Sequence, residues 1–444
     1  METKTKKILI IGFLTVVFWV ASMCISSLVD DRSSLSNVTQ EEVAESWSKE
    51  QTLVGPMLCV PVYRGTEQTP YTCMYVLPNE DKVDADVQSE ILHRGIFDAS
   101  VYRTKIAMSG NFDLSDMVLS KPASDNKKEQ RYDWSHAQLM VAIGDKRGIE
   151  EGLKCQLGGQ ELELSQYFNR FGNTRLEPVF GYNCQEPVCR MVDLSQSVGK
   201  VVNFSMEASL KGSSELNIAP IGRNSQVTVH GNCADPSFVG MTLPSTREVT
   251  DEGFTATWKV NSLNRNDVDQ VFYCESERKN FQTVGARLLV PGGQYTQTDR
   301  ALKYAFLVIL LSLMAVYVGD MSVRGDIGLF NYLLIGAALV LFYLMLLSFG
   351  EWVGFSMAYL ISAVLILGMI MLYFRAIVRN GRTTLAVCLF MALVDIFVYV
   401  LLSLEEMALL VGSIGLFVVL GAAMFFSLRV SSDKKELKGN GETE

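Results

Sequence analysis

Asp395 is a carboxylate set in the middle of an apolar run, Leu393-Val394-Asp395-Ile396-Phe397. A charge at mid-bilayer depth is costly, so such a residue is by default either a functional group or a paired structural one. Two chemistries follow. The carboxylate takes part in ion or proton movement, or it is buried among helices, protonated or hydrogen-bonded to Ser or Tyr. No Lys or Arg lies at matching depth to pair with it. Glu351, beside Trp352, and the pair Glu405-Glu406 stand at the ends of apolar runs. They are expected to be hydrated, the alternative being contact with the underside of a water-soluble domain. His93, His136 and His230 are far apart and read as surface or structural groups. No phosphate-binding Gly-rich loop, His-Glu-x-x-His or Gly-x-Ser-x-Gly motif occurs. The acidic run Asp81, Asp84, Asp86, Glu90 reads as a solvated loop, since a cation site needs a defined set of oxygen ligands. The sequence nominates no catalytic residue, metal or cofactor.

These groups must be positioned by a chain of 444 residues that is 49% hydrophobic and 20% charged, with mean hydropathy +0.20. Its net charge of −9 argues against a nucleic-acid partner, which would call for a basic excess. The apolar residues are concentrated. Crossing a bilayer takes roughly 17–25 apolar residues, and six stretches qualify: about 8–28, 303–319, 329–349, 353–374, 384–403 and 407–428. In lipid the backbone must satisfy its own hydrogen bonds, so each reads as a helix. The expected fold is therefore a membrane α-helical protein, with one N-terminal and five C-terminal transmembrane helices, carrying a large mainly-β exported domain. Its parts are an anchor (1–29), the β domain (30–302), a five-helix block (303–430) and a charged tail (431–444).

Orientation follows from Lys and Arg. Lys4, Lys6 and Lys7 precede the first span, which keeps the N-terminus in the cytoplasm and puts 30–302 outside. The inner loops then hold Arg324, the group Arg375, Arg379 and Arg382, and the tail with Arg429, Lys434, Lys435 and Lys438, while Glu351 and Glu405-Glu406 fall outside. The first apolar run is longer than a signal-peptide core and lacks a clean small-x-small cleavage site, so it is expected to remain as an anchor.

Within the exported stretch, Thr39-Gln40-Glu41-Glu42 reads as a capping box opening a short helix to about Gln51. Strand-like runs follow at Met57–Tyr63, Tyr71–Leu77, Ser100–Gly110, Val202–Leu210, Gln226–His230 and Phe254–Val260. They predict mostly antiparallel β structure in one or two packed sheets. A helix near Leu164–Phe171 and an exposed loop at Lys121–Arg131 complete the reading. Seven cysteines fall in this stretch: Cys59, Cys73, Cys155, Cys184, Cys189, Cys233 and Cys274. In an oxidising compartment Cys59 with Cys73 and Cys184 with Cys189 are the candidate disulfides; the alternative is seven buried thiols.

Several short segments recur together in one order. They include Trp47 with Gln51, Gly55-Pro56, Arg94-Gly95-Ile96, Pro220-Ile221-Gly222, Pro236–Gly240, Gly253–Trp258, Arg300–Tyr304, Asn331–Gly336, Leu341–Ser348 and Glu405–Ser413. As a set they resemble the CreD family of bacterial inner-membrane proteins, over nearly the whole chain. The sequence departs from the family pattern at Gly328-Leu329, where His-Pro is common, and at Asp320 and Glu406, where Glu and Asp are usual. Asp395 lies outside that pattern. The resemblance implies an inner (plasma) membrane protein linked to cell-envelope integrity, envelope stress and the β-lactam response, and it carries over no catalytic residues. The expected partners are the lipid bilayer and a periplasmic or membrane protein. A transporter or channel component built from the C-terminal helices is the alternative.

Overall fold

A computed structural model describes residues 2–117, 120–122, 129–164, 187–265, 270–273, 281–288, 293–323, 327–404, 410–415 and 417. The chain divides into two units, one formed by Met1–Leu35 with Gly292–Glu444 and the other by Ser36–Pro291.

The helical unit holds most of α1 (Glu2–Trp47), then α2 (Gly293–Lys303), α3 (Ala305–Val323), α4 (Leu329–Val353), α5 (Phe355–Val378) and α6 (Gly381–Ser403). All but α2 are long and apolar enough to cross a membrane. Of the last expected span, 407–428, residues 410–415 and 417 are helical and the rest lies outside the described residues. Local chemistry sets the helix ends. Gly354, at φ +76°, closes α4, in a conformation that an L side chain adopts only with strain. Asn380 caps α6 by accepting from the Arg382 N–H at 3.1 Å, which satisfies one of the donors a helix start leaves open. The helices meet through small-to-large contacts: Phe18 of α1 lies against Gly336 of α4, and Trp19 meets Phe306 edge-on at 5.8 Å.

Two expectations about the helices change. Thr39 and Glu42 do not open a new helix, because α1 continues through them to Trp47. A capping box acts where the chain arrives extended; here the N–H groups it would satisfy already bond to the preceding turn. The second is α2, which the sequence reading folded into the end of the β domain. It is short and two-faced, with Tyr295, Thr298, Ala301 and Leu302 buried.

The β unit begins with β1 (Gln51–Arg64), β2 (Thr72–Val76), β3 (Glu80–Arg94), β4 (Phe97–Asp113), β5 (Ser120–Pro122), β6 (Glu129–Tyr132), β7 (Ala137–Ile143), β8 (Lys154–Leu157) and β9 (Gln160–Glu163). It continues with β10 (Val188–Val192), β11 (Val201–Ser213), β12 (Glu215–Ala219), β13 (Asn224–Gly231), β14 (Pro236–Gly240), β15 (Thr246–Thr250), β16 (Gly253–Asn261), β17 (Val271–Tyr273) and β18 (Val284–Leu288). One sheet runs β10-β7-β1-β12-β18-β14, with β2–β17 and β6–β5 branching from β1; the other runs β15-β16-β13-β3-β4-β11-β8-β9. The pairs β1–β12 and β3–β13 are parallel, and the other ladders among the described residues are antiparallel.

The six strand-like runs of the sequence all coincide with strands, Tyr71–Leu77 overrunning β2 by one residue at each end. The acidic run is the exception in the other direction: it is no loop but β3, where Val83, Ala85 and Val87 point inward and Lys82, Asp84 and Asp86 outward. The period-two alternation outweighs the acidic composition. The ends of the expected loop Lys121–Arg131 pair as β5 and β6, and 123–128 lie outside the described residues, as do 165–171 of the expected helix.

The core lies between the sheets. Val83, Ile106, Phe204, Val229 and Trp258 from one sheet join Leu58, Val60, Leu139 and Val141 from the other. Each such side chain contributes roughly 1.5–3 kcal/mol on burial. The far face of the first sheet is buried as well, by Met57, Cys59, Cys73, Tyr75, Met140 and Cys189. Burial on both faces explains why β1 is apolar without alternation. Its one irregularity is the register shift between Val54 and Met57, at Gly55-Pro56. Proline has no N–H to donate to a ladder, and a bulge is where a strand tolerates it.

Candidate binding face and intramembrane polar groups

On the solvent face of the second sheet, register brings together side chains from five strands. Lys82 lies opposite Ser109, Ser109 opposite Ser205, Ser205 opposite Gln156, and Gln156 opposite Glu161. The next row is Asp84, Ala107, Glu207, Lys154 and Glu163. Directly opposed residues project to the same face. The short side chains of Ala107, Ser109 and Ser205 form the floor of a groove of about 950 Å³, with the charged residues as its walls. Beside it, Asn224, Gln226, Lys259 and Asn261 line a second depression of about 610 Å³. These outward groups are exposed or half-buried. They offer donors and acceptors across the sheet, as a surface for a polar ligand would.

Asp81 of β3 points the other way, into the core, 2% exposed. Burial pushes its carboxyl up to about 7, against the pull of the Arg265 guanidinium nearby. Neither carboxylate oxygen has a hydrogen-bond partner. Arg265 itself donates to the carbonyls of Pro220 and Gly222. Asp81 therefore lies beneath the face rather than on it.

Where α1 ends, polar groups tie it to the sheets. The Gln51 amide nitrogen is within hydrogen-bond distance of Ser48 Oγ, the Asp145 carbonyl and the Lys211 carbonyl, at 2.9, 3.0 and 2.9 Å. Asp145 accepts from the Lys49 N–H at 3.0 Å and from the Arg147 guanidinium at 2.8 Å. Burial alone would raise its carboxyl, but these donors hold it at about 2. Trp47 lies under Arg103 and Lys211, with the cations 4.8 and 5.2 Å from its ring. Val43 packs with Ala99 and Val101.

In the helical unit, Asp395 lies on α6 among aromatic rings. The Tyr359 hydroxyl donates to the Asp395 backbone carbonyl at 2.9 Å, and the Tyr359 and Tyr399 rings are 5.3 Å apart. Glu351, expected to be hydrated, is instead 3.8 Å from Arg32 and accepts from the Tyr295 hydroxyl at 3.4 Å. Asp320, which the sequence marks only as a departure from the family pattern, has the most partners of the acids among the described residues of the unit. It is buried, pairs with Lys7 at 3.2 Å, and accepts from the Ile327 N–H and the Tyr332 hydroxyl. The readable signal was a carboxylate at the end of one apolar run and a lysine at the start of another.

The remaining nominated residues are dispersed. Glu405, Glu406, Cys184 and Cys274 lie outside the described residues. Cys59 and Cys73 are buried free thiols on adjacent strands, and burial followed by the Cys73 thiol raises the Cys59 pKa. Cys189 is buried on β10. His93, His136 and His230 stand apart, beside Asp98, Asp133 and Thr255 respectively. Among the described residues no group of three or more His, Cys, Asp or Glu is placed to hold a metal.

Comparison with known proteins bears on the architecture as a whole. Inner membrane protein CreD of Escherichia coli (strain K12) is 28% identical over 429 residues, covering 92% of this chain and 89% of that protein. The profile of the family described as Inner membrane protein CreD matches residues 3–432. An N-terminal apolar helix, a long sheet-rich stretch and a set of apolar C-terminal helices, matched in this way from end to end, make the chain a member of the CreD family of inner membrane proteins.

Proposed function

We propose that this protein supports the integrity of the bacterial cell envelope, and its response to envelope stress, by binding rather than by catalysis. The β unit is periplasmic and engages a periplasmic or membrane protein through the solvent face of its second sheet. The helical unit holds it in the inner membrane. The observation that carries this reading is the groove floored by Ala107, Ser109 and Ser205. Its charged walls are exposed, ordinary hydrated groups, suited to recognition.

The proposed orientation is supported by level. Lys7 meets Asp320, and Tyr373, two residues from Arg375, donates to Asn331 at 2.9 Å. This puts Lys7 at one end of the helical unit, with Arg375, Arg379 and Arg382 following from the α5–α6 turn, as a cytoplasmic side requires. Arg32 and Glu351 mark the other end.

The test fills the groove. Ser109→Trp and Ser205→Trp both change outward, exposed positions. Cells making either variant at parental levels should show the envelope sensitivity of a deletion strain. A photocrosslinker at Ser109 should capture a partner that one at Thr250, on the exposed edge strand β15, does not. Full protection by both filled-groove variants would refute the proposal.

A further inference from the structure

Among the described helices no Lys, Arg or His stands at the depth of Asp395. α3 and α4 hold no Lys, Arg or His, α5 holds only Arg375 in its last turn and α6 only Arg382 in its first, and the last apolar run, 407–428, holds none. The nearest base along α6 is Arg382, thirteen residues away, or roughly 20 Å along the axis at 1.5 Å per residue. No side chain covers that distance. Asp395 and Tyr399 are one helical turn apart and both partly exposed, bordering the exposed sector of Leu393, Ile396 and Val400. Among the described residues that sector is apolar and exposed, and Asp395 borders it.

What surrounds it is aromatic. Tyr359 bonds to the Asp395 carbonyl, Tyr399 lies beside Tyr359, and the Phe342 ring is 5.2 Å from Tyr359. An inorganic cation would need several oxygen ligands to replace its water, and a single carboxylate among tyrosines does not supply them. A delocalised organic cation needs no such shell. It is stabilised by a carboxylate together with the negative faces of tyrosine rings, and its apolar body partitions into lipid unaided.

We propose that Asp395, with Tyr359 and Tyr399, forms an intramembrane site for a lipophilic organic cation entering from the bilayer. The site is separate from the groove of the β unit and stands or falls independently of it.

The probe is tetraphenylphosphonium, measured by equilibrium dialysis against the full chain in phosphatidylcholine nanodiscs, with protein-free nanodiscs as the blank. Saturable binding above the blank is expected. Asp395→Asn should weaken it at least tenfold and Tyr399→Leu severalfold, while Asp395→Glu and Tyr399→Phe retain it. The uncharged triphenylphosphine oxide should not compete. Binding no greater than the blank, unchanged affinity in a folded Asp395→Asn, or effective competition by the neutral compound would each overturn the proposal. Should Asp395→Asn fail to fold, the Tyr399 pair and the neutral competitor still decide.

Discussion

Asp81 and Asp145 are both 2% exposed, yet their surroundings drive them apart. Donors from Arg147 and Lys49 converge on Asp145 and hold its carboxyl near 2, below the unfolded value of about 3.9. Its contribution to stability is present above about pH 4 and lost as pH falls toward 2. Asp81 has the opposite sign. Burial raises it to about 7, so the folded state binds the extra proton and stability declines as pH rises from about 4 to about 7. Melting of the purified full chain across pH 2–8 should separate the two. Asp145→Asn should flatten the acidic limb, and Asp81→Asn the limb from 4 to 7; exchanged effects would show that these assignments are wrong. From sequence the two acids are indistinguishable. The alternation of Val83, Ala85 and Val87 puts Asp81 on the inward face only once the acidic run is read as a strand, and nothing local tells Asp145 that Lys49 will reach it.

At the scale of elements, pattern was legible where it was periodic and invisible where partners come from afar. The spans and strands with clean periods were found. β3 was misread because charge on its outer face masked Val83, Ala85 and Val87, and α2 because one short amphipathic stretch resembles the end of a domain. The helix contact at Gly336 tests whether packing in the helical unit works by shape. A Cβ there would collide with the Phe18 ring, and overpacking of this kind costs about 1–3 kcal/mol. Gly336→Leu should therefore lower the thermal stability of the detergent-solubilised protein, and adding Phe18→Ala should restore much of it. If the double variant melts no higher than Gly336→Leu, the ring is not what the leucine meets.

At the scale of the molecule, the family and the order of its parts were readable from segments spread along the chain. The groove was not, because its floor and walls are drawn from positions between Lys82 and Glu207 that only strand register brings side by side. The proposed orientation makes a direct prediction: alkaline phosphatase inserted near residue 200 should be active in intact cells, and one joined in the Arg379–Arg382 turn inactive. The reverse pattern would invert the topology. A last consequence concerns assembly in time. Thr52, in the first strand to be synthesised, is bonded alongside Asn217 of β12, and Glu215 of that strand alongside Arg287 of β18. Ladders so distant in sequence close late, since loop entropy must be met before they form. Until then β1 waits as an apolar ribbon with an open edge, the kind of surface through which unfinished chains pair wrongly and aggregate.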